Sequence, residues 1–175
     1  MTPYCSKSLP WDIVERAIAK EIKWLKEVLT EHPRKKESYC KDCIYKRLAI
    51  LIVSGRVKVK DIKSTVSLWG KEKSFPTGKP HGREWHTGMM KLVSSYFQSL
   101  GFDVAIEPKL NMGRADLGVY KKNGRDLFVE IGMVSLSKFL FNLESMENSD
   151  FLIVLDTNRV VEFSVLKASY KYYSI

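Results

Sequence analysis

The sequence predicts an α/β fold preceded by a small, basic, helical module, on three observations. Apolar residues recur at helical spacing through most of residues 11–54. After residue 82 the pattern changes to a helix, three strand-like runs, a second helix and two further strands. The charge divides at the same place. Residues 1–80 hold 18 Lys and Arg against 9 Asp and Glu, whereas residues 81–175 hold 11 against 11. The formal net charge of +9 is therefore a property of the first half.

From Trp11 to Thr30, Ile13, Val14, Ala17, Ile18, Ile22, Leu25, Val28 and Leu29 make one helical stripe. Pro10 and Asp12 start it and His32-Pro33 ends it. Arg34, Lys35 and Lys36 then form a basic turn. A second helix is expected over Tyr39–Ser54, with Ile44, Tyr45, Leu48 and Ile52 inward and Gly55 behind its end. Val59, Ile62, Val66 and Trp69 give a third helical stripe over 57–69, against their β-branched content. Three short basic helices have the outline of a helix-turn-helix module, here residues 1–75. Residues 70–82, rich in Lys, Pro and Gly, lack apolar periodicity and read as a linker.

The second part, residues 83–175, opens with a helix over Arg83–Leu100 closed by Gly101. Strands are expected at Phe102–Glu107, Ala115–Tyr120 and Leu127–Ile131, with a turn at Lys122-Asn123-Gly124-Arg125 between the last two. A helix over Leu136–Glu147 and strands at Phe151–Leu155 and Val160–Phe163 complete the order.

Composition excludes several classes. With 45% apolar and 28% charged residues the 175-residue chain has the material for a core and does not resemble a disordered or low-complexity sequence. It has no uncharged apolar run of about 18 residues, so no membrane span is expected, and no apolar run follows Lys7 as a secretory signal requires. Three cysteines are too few for a disulfide framework, and the simpler setting is intracellular and reducing, hence cytoplasmic. A basic half joined to a neutral half fits a nucleic-acid grip attached to something else.

The chemistry-bearing residues are polar groups inside apolar strands. Asp116 lies in Gly113-Arg114-Ala115-Asp116-Leu117-Gly118-Val119, and Glu130 lies in Leu127-Phe128-Val129-Glu130-Ile131-Gly132. An unpaired buried carboxylate is costly, so each needs a partner. The intervening turn makes a hairpin that can set them side by side. Two hard oxygen donors at a hairpin end suit Mg²⁺, which binds through few carboxylates and keeps waters for its substrate. A structural ion pair, for instance with Arg114, is the other way to satisfy them.

A helix bearing Glu84, a strand bearing Asp116, a hairpin, and a strand bearing Glu130 fourteen residues later resemble the PD-(D/E)XK nuclease superfamily, over residues 83–163. That group includes many restriction endonucleases and the archaeal Holliday junction resolvases. The resemblance implies a restriction-endonuclease-like mixed sheet flanked by helices and metal-dependent hydrolysis of phosphodiester bonds in DNA, with RNA not excluded. By it, Asp116 and Glu130 hold Mg²⁺ or Mn²⁺, the Ile131 carbonyl is a further ligand, and Glu84 completes the site or simply favours its helix N-terminus. The family's lysine stands two residues after the second acid, where this chain has Gly132. Lys138, opening the next helix, is the expected replacement, stabilising developing charge or positioning water. Without it the chain would be a non-catalytic DNA-binding relative. Many relatives dimerise, so the resemblance also implies a homodimer.

Arg114 is expected to contact phosphate or an acidic neighbour, and Arg34, Lys35 and Lys36 to contact DNA. Glu107 and Asp156 are expected as surface acids. Cys40 and Cys43, with His32 and Cys5, contain the ligand types of a zinc site but lack the second close pair of a complete finger. His81 and His86 flank Glu84 as candidate substrate-binding groups, without the nucleophile motif of a His-based hydrolase, and no glycine cluster has Walker spacing, which argues against an ATP-dependent enzyme.

Overall fold

The longest apolar periodicities become four helices in a computed structural model, which describes residues 10–29, 39–64, 66–70, 75–111 and 113–166. Helix α1 (Trp11–Val28) follows Pro10, whose ring fixes a φ suited to a helix start, and turns Leu25 and Val28 inward. Helix α2 (Lys41–Val53) buries Ile44, Tyr45, Leu48 and Ala49. Lys26 and Asp42 join the two helices at 3.0 Å. Helix α3 (Arg83–Ser99) buries Trp85, Met89, Leu92, Val93 and Phe97, a stripe at helical spacing. Helix α4 (Leu136–Ser145) buries Leu136, Phe139, Leu140 and Leu143.

The strands are β1 (Val57–Lys63), β2 (Asp103–Ile106), β3 (Lys109–Leu110), β4 (Gly113–Arg114), β5 (Leu117–Tyr120), β6 (Asp126–Ile131), β7 (Ser149–Val154) and β8 (Arg159–Val165). Six of them form a mixed sheet in the order β1-β8-β7-β6-β5-β2, and β3 pairs with β4 in a separate ribbon. Only β6 and β7 run parallel, and the connection between them contains α4, as a parallel pair requires a crossover. The α/β class and the mixed sheet flanked by helices are thus present.

The helix expected over 57–69 does not form among the described residues: Val57–Lys63 is a strand instead. Val57 and Val59 turn inward while Lys58 and Lys60 stay exposed, so the local period is two rather than 3.6. Seven residues, Val57 to Lys63, pair antiparallel with Val165 to Arg159. The Asp61 carboxylate accepts from Arg159 Nε at 3.2 Å and Nη2 at 2.9 Å across that pair. Tertiary pairing and β-branched side chains override the weak helical stripe. The basic half therefore supplies two helices and an edge strand among the described residues, and the helix-turn-helix outline loses its third helix.

Side chains alternating along the strands build a core on each face of the sheet. One face packs Phe151, Ile153, Val161 and Phe163 against α1, α2 and α4, including Leu25, Leu48, Phe139 and Leu140. The other packs Leu117, Val129, Leu152 and Val154 under α3 and Trp69. Arg47 of α2 also makes a two-pronged ion pair with Glu144 of α4. Part of the expected linker lies on α3. A Cβ at Gly88 would stand 2.6 Å from the Pro76 Cβ, so only glycine admits that approach. Among the described residues, no helix is long and apolar enough to cross a membrane.

Candidate functional site

The hairpin that carries both acids is set by its turn and register. Gly124 N–H donates to the Lys121 carbonyl at 2.9 Å, with Asn123 in the left-handed region its side chain tolerates. Leu117 pairs with Val129 and Gly118 with Phe128. One step beyond that register, Asp116 comes opposite Glu130, and its N–H donates to the Val129 carbonyl at 3.0 Å. Fourteen residues of separation is the length of two short strand arms and a tight turn.

Alternation along β6 then sorts the side chains. Val129 and Ile131 enter the core under α3, while Phe128 joins the core under α4. Glu130 shares the parity of Phe128 and meets α4, where Lys138 stands in the first turn. Lys138 Nζ donates to Glu130 Oε1 at 2.7 Å and also to the Arg114 carbonyl. Only 7% of Glu130 is exposed. Burial pushes its carboxyl up from 4.5 to about 6, against the opposing pull of the Lys138 ammonium, while the Asp116 charge adds to the rise.

Asp116 is anchored from two other directions. Its Oδ2 accepts from the Ile131 N–H at 2.7 Å, which locks the carboxylate to the end of β6. The same oxygen lies 3.2 Å from His86 Nε2 on α3. That contact raises the imidazole above its ordinary 6.5, outweighing the opposite effect of burial. Each acid therefore has its own basic partner, Lys138 for Glu130 and His86 for Asp116.

Gly132, two residues after Glu130, holds a backbone conformation that only glycine suits. Its φ is +81°, and a Cβ there would stand 3.1 Å from His81 Nδ1 and 3.3 Å from Trp85 Cζ3. Its N–H donates to the Val154 carbonyl at 2.7 Å, so β6 and β7 stay bonded past the last strand residue. No L side chain occupies this position without strain.

Asp116, Glu130, Lys138, Arg114, His86 and Trp85 all line a cleft of about 350 Å³ at the carboxyl end of β6. Arg114 also pairs with Glu107 at 3.2 Å, with both side chains more than half exposed. Glu84 is exposed and lies beside Gly78 rather than in the lining. Asp156 accepts from the Asn158 N–H at 2.7 Å within a turn. Arg34, Lys35, Lys36, His32 and Cys5 lie outside the described residues, while Cys40 and Cys43 are exposed free thiols.

His86 is the cleft residue to which motif spacing gave no place beside the acids, and the phase of α3 contains the signal. At 100° per residue, the buried Trp85, Met89, Leu92, Val93 and Phe97 centre the inward face so that His86 falls about 60° from it and Glu84 about 140°. Trp85 faces the sheet, His86 flanks it, and Glu84 turns away.

Among the described residues, no three His, Cys, Asp or Glu side chains are grouped so as to hold a metal ion together. Two carboxylates in one cleft, one of them deeply buried, fit the mode in which Mg²⁺ is held by one or two acids plus waters and substrate oxygens. No family model, curated protein or solved structure matches the chain.

Proposed function

We propose that the chain is a divalent-metal-dependent phosphodiesterase acting on DNA, built on the PD-(D/E)XK plan with its lysine moved to α4. The observation that carries the reading is the Lys138–Glu130 contact of 2.7 Å beside Asp116, at a strand end whose usual lysine position is closed to side chains. Asp116 and Glu130 would hold Mg²⁺ or Mn²⁺, which supplies Lewis-acid polarisation of the phosphate and acidifies water. Lys138, oriented by Glu130 and the Arg114 carbonyl, would stabilise the negative charge that a pentavalent phosphorane gains. Arg114, largely exposed in the cleft lining, would hold a neighbouring phosphate. His86 and the Ile131 N–H orient Asp116.

A substrate of many phosphates suits the charge of the chain. The cleft sets two acids against Lys138, Arg114 and His86, while the excess of positive charge lies in residues 1–80. That half would hold the polyanion, Arg34, Lys35 and Lys36 among it, and log affinity would fall linearly with log salt.

The test is cleavage of plasmid, linear, single-stranded and branched DNA with Mg²⁺ or Mn²⁺. Wild type should cut, and Asp116→Ala, Glu130→Ala and Lys138→Ala should each lose at least about a hundredfold in rate while still binding DNA. Full activity in the two acid variants would remove the site. One observation favours a second reading, a DNA-binding protein without catalysis: both acids are already satisfied by Lys138 and His86. Binding with a steep salt slope and no response to divalent metal would select it.

A further inference from the structure

The cysteine pair at the start of α2 is not used by the phosphodiesterase reading. Cys40 is the residue that precedes the helix, in extended backbone with φ −64° and ψ 117°, and Cys43 is its third residue. Cys40 stands outside the helical spacing, and the Cys43 thiol lies within hydrogen-bonding reach of its sulfur, so the two sulfurs already face each other as disulfide closure requires. Both thiols are exposed and unbridged.

We infer that Cys40 and Cys43 form a redox-active dithiol, which closes to an intramolecular disulfide at the expense of a low-molecular-weight disulfide of the glutathione class. Position makes the two sulfurs unequal. Cys40 makes no regular side-chain capping bond, yet the backbone N–H and the thiol of Cys43 face its sulfur and hold its thiol below the ordinary range. The same contact pushes Cys43 up. The positive end of the α2 dipole favours a thiolate at Cys40. Asp42, whose charge opposes a thiolate on either side, is tied to Lys26 at 3.0 Å, and Lys46 acts in favour at Cys43.

The exchange follows from these roles. The Cys40 thiolate attacks one sulfur of the external disulfide, forming a mixed disulfide and releasing one glutathione thiolate. Cys43 then gives its proton to solvent, and its sulfur attacks the Cys40 sulfur and expels the second glutathione thiolate. Two protein thiols lose two electrons and two protons, and the external disulfide is reduced to two thiols. The closed ring ties the residue before α2 to its first turn, beside the Lys26–Asp42 link to α1.

The experiment uses the full chain with Cys5→Ser, treated with glutathione disulfide under anaerobic conditions and then with N-ethylmaleimide, read by intact mass. The expected product lacks two hydrogens and takes up no maleimide. Adding Cys43→Ser should trap one glutathione on Cys40, and Cys40→Ser should leave a Cys43 that reacts about tenfold more slowly. Stable glutathione adducts on the Cys5→Ser chain, equal rates for the two single thiols, or stoichiometric zinc shielding both sulfurs would each overturn the inference. Mass and thiol rates are independent of DNA cleavage, so this result stands apart from the phosphodiesterase reading.

Discussion

Two residues decide what the cleft can be, and each sets a measurable expectation. Glu130 is raised from 4.5 to about 6, and its side chain is only 10% exposed, so the displacement corresponds to about 2 kcal/mol. A carboxyl raised in the folded state stabilises the fold fully below its unfolded value, and that contribution is lost as pH rises through about 6. His86, also raised, acts in the same direction, losing its contribution as pH rises above 6.5. The difference in unfolding free energy between wild type and Glu130→Gln, measured by urea titration without divalent metal, should therefore change by about 2 kcal/mol between pH 4 and 7.5. Wild type should be relatively more stable at the acid end. A difference flat across that range would mean that Glu130 ionises as freely as in the unfolded chain. Gly132 sets the second expectation. Gly132→Lys puts a lysine where the nuclease superfamily that the sequence resembles carries one, but forces a side chain into φ +81° against His81 and Trp85. Destabilisation of about 1–3 kcal/mol should follow, and, on the proposed phosphodiesterase reading, no rescue of cleavage in Lys138→Ala. Rescue at wild-type stability would show that the strand end tolerates the ordinary lysine.

Secondary-structure elements were legible in proportion to how much of their pattern was local. Helix α3 and the β5–β6 hairpin were readable because a long apolar stripe and an Asn-Gly turn need no distant partner. Lys138 was legible for a similar reason: the first turn of the helix after β6 is within a side chain's reach of the strand it leaves. Strand β1 was not. Val59, Ile62, Val66 and Trp69 fit a helical face as well as the alternating Val57 and Val59 fit a strand. What separates the two readings is pairing with β8, about a hundred residues away, and the Asp61–Arg159 contact across it. The β3–β4 ribbon has two residues per strand, too few for any period to register. The His86–Asp116 contact joins elements thirty residues apart, and spacing alone favoured Glu84, which sits on the same turn but outside the inward face.

At the scale of the molecule, the charge boundary and the packing boundary do not coincide. The excess positive charge ends near residue 80, yet β1 is hydrogen-bonded along its length to β8, and α1 and α2 cover the sheet face on which α4 lies. Leu25, Leu29, Ile44, Tyr45, Leu48 and Val57 are each at most 4% exposed. At about 1.5–3 kcal/mol for each fully buried side chain, these six contribute on the order of 10 kcal/mol, comparable with the total stability of an ordinary domain. Removing them would also uncover Phe151, Val161 and Phe163 and leave β8 as an unprotected edge. A fragment of residues 75–175 should therefore fail to fold alone: no near-ultraviolet dichroism, dye binding to exposed apolar surface, and no cooperative thermal transition, whereas the full chain melts in one. If the fragment instead melts cooperatively with native-like dichroism, the basic half is a separable module. Failure of the fragment to fold would bear on the proposed hold on DNA: residues 11–63 would be fixed relative to the cleft, not tethered to it. On the proposed reading, neutralising lysines on that half should then weaken DNA binding and lower cleavage together.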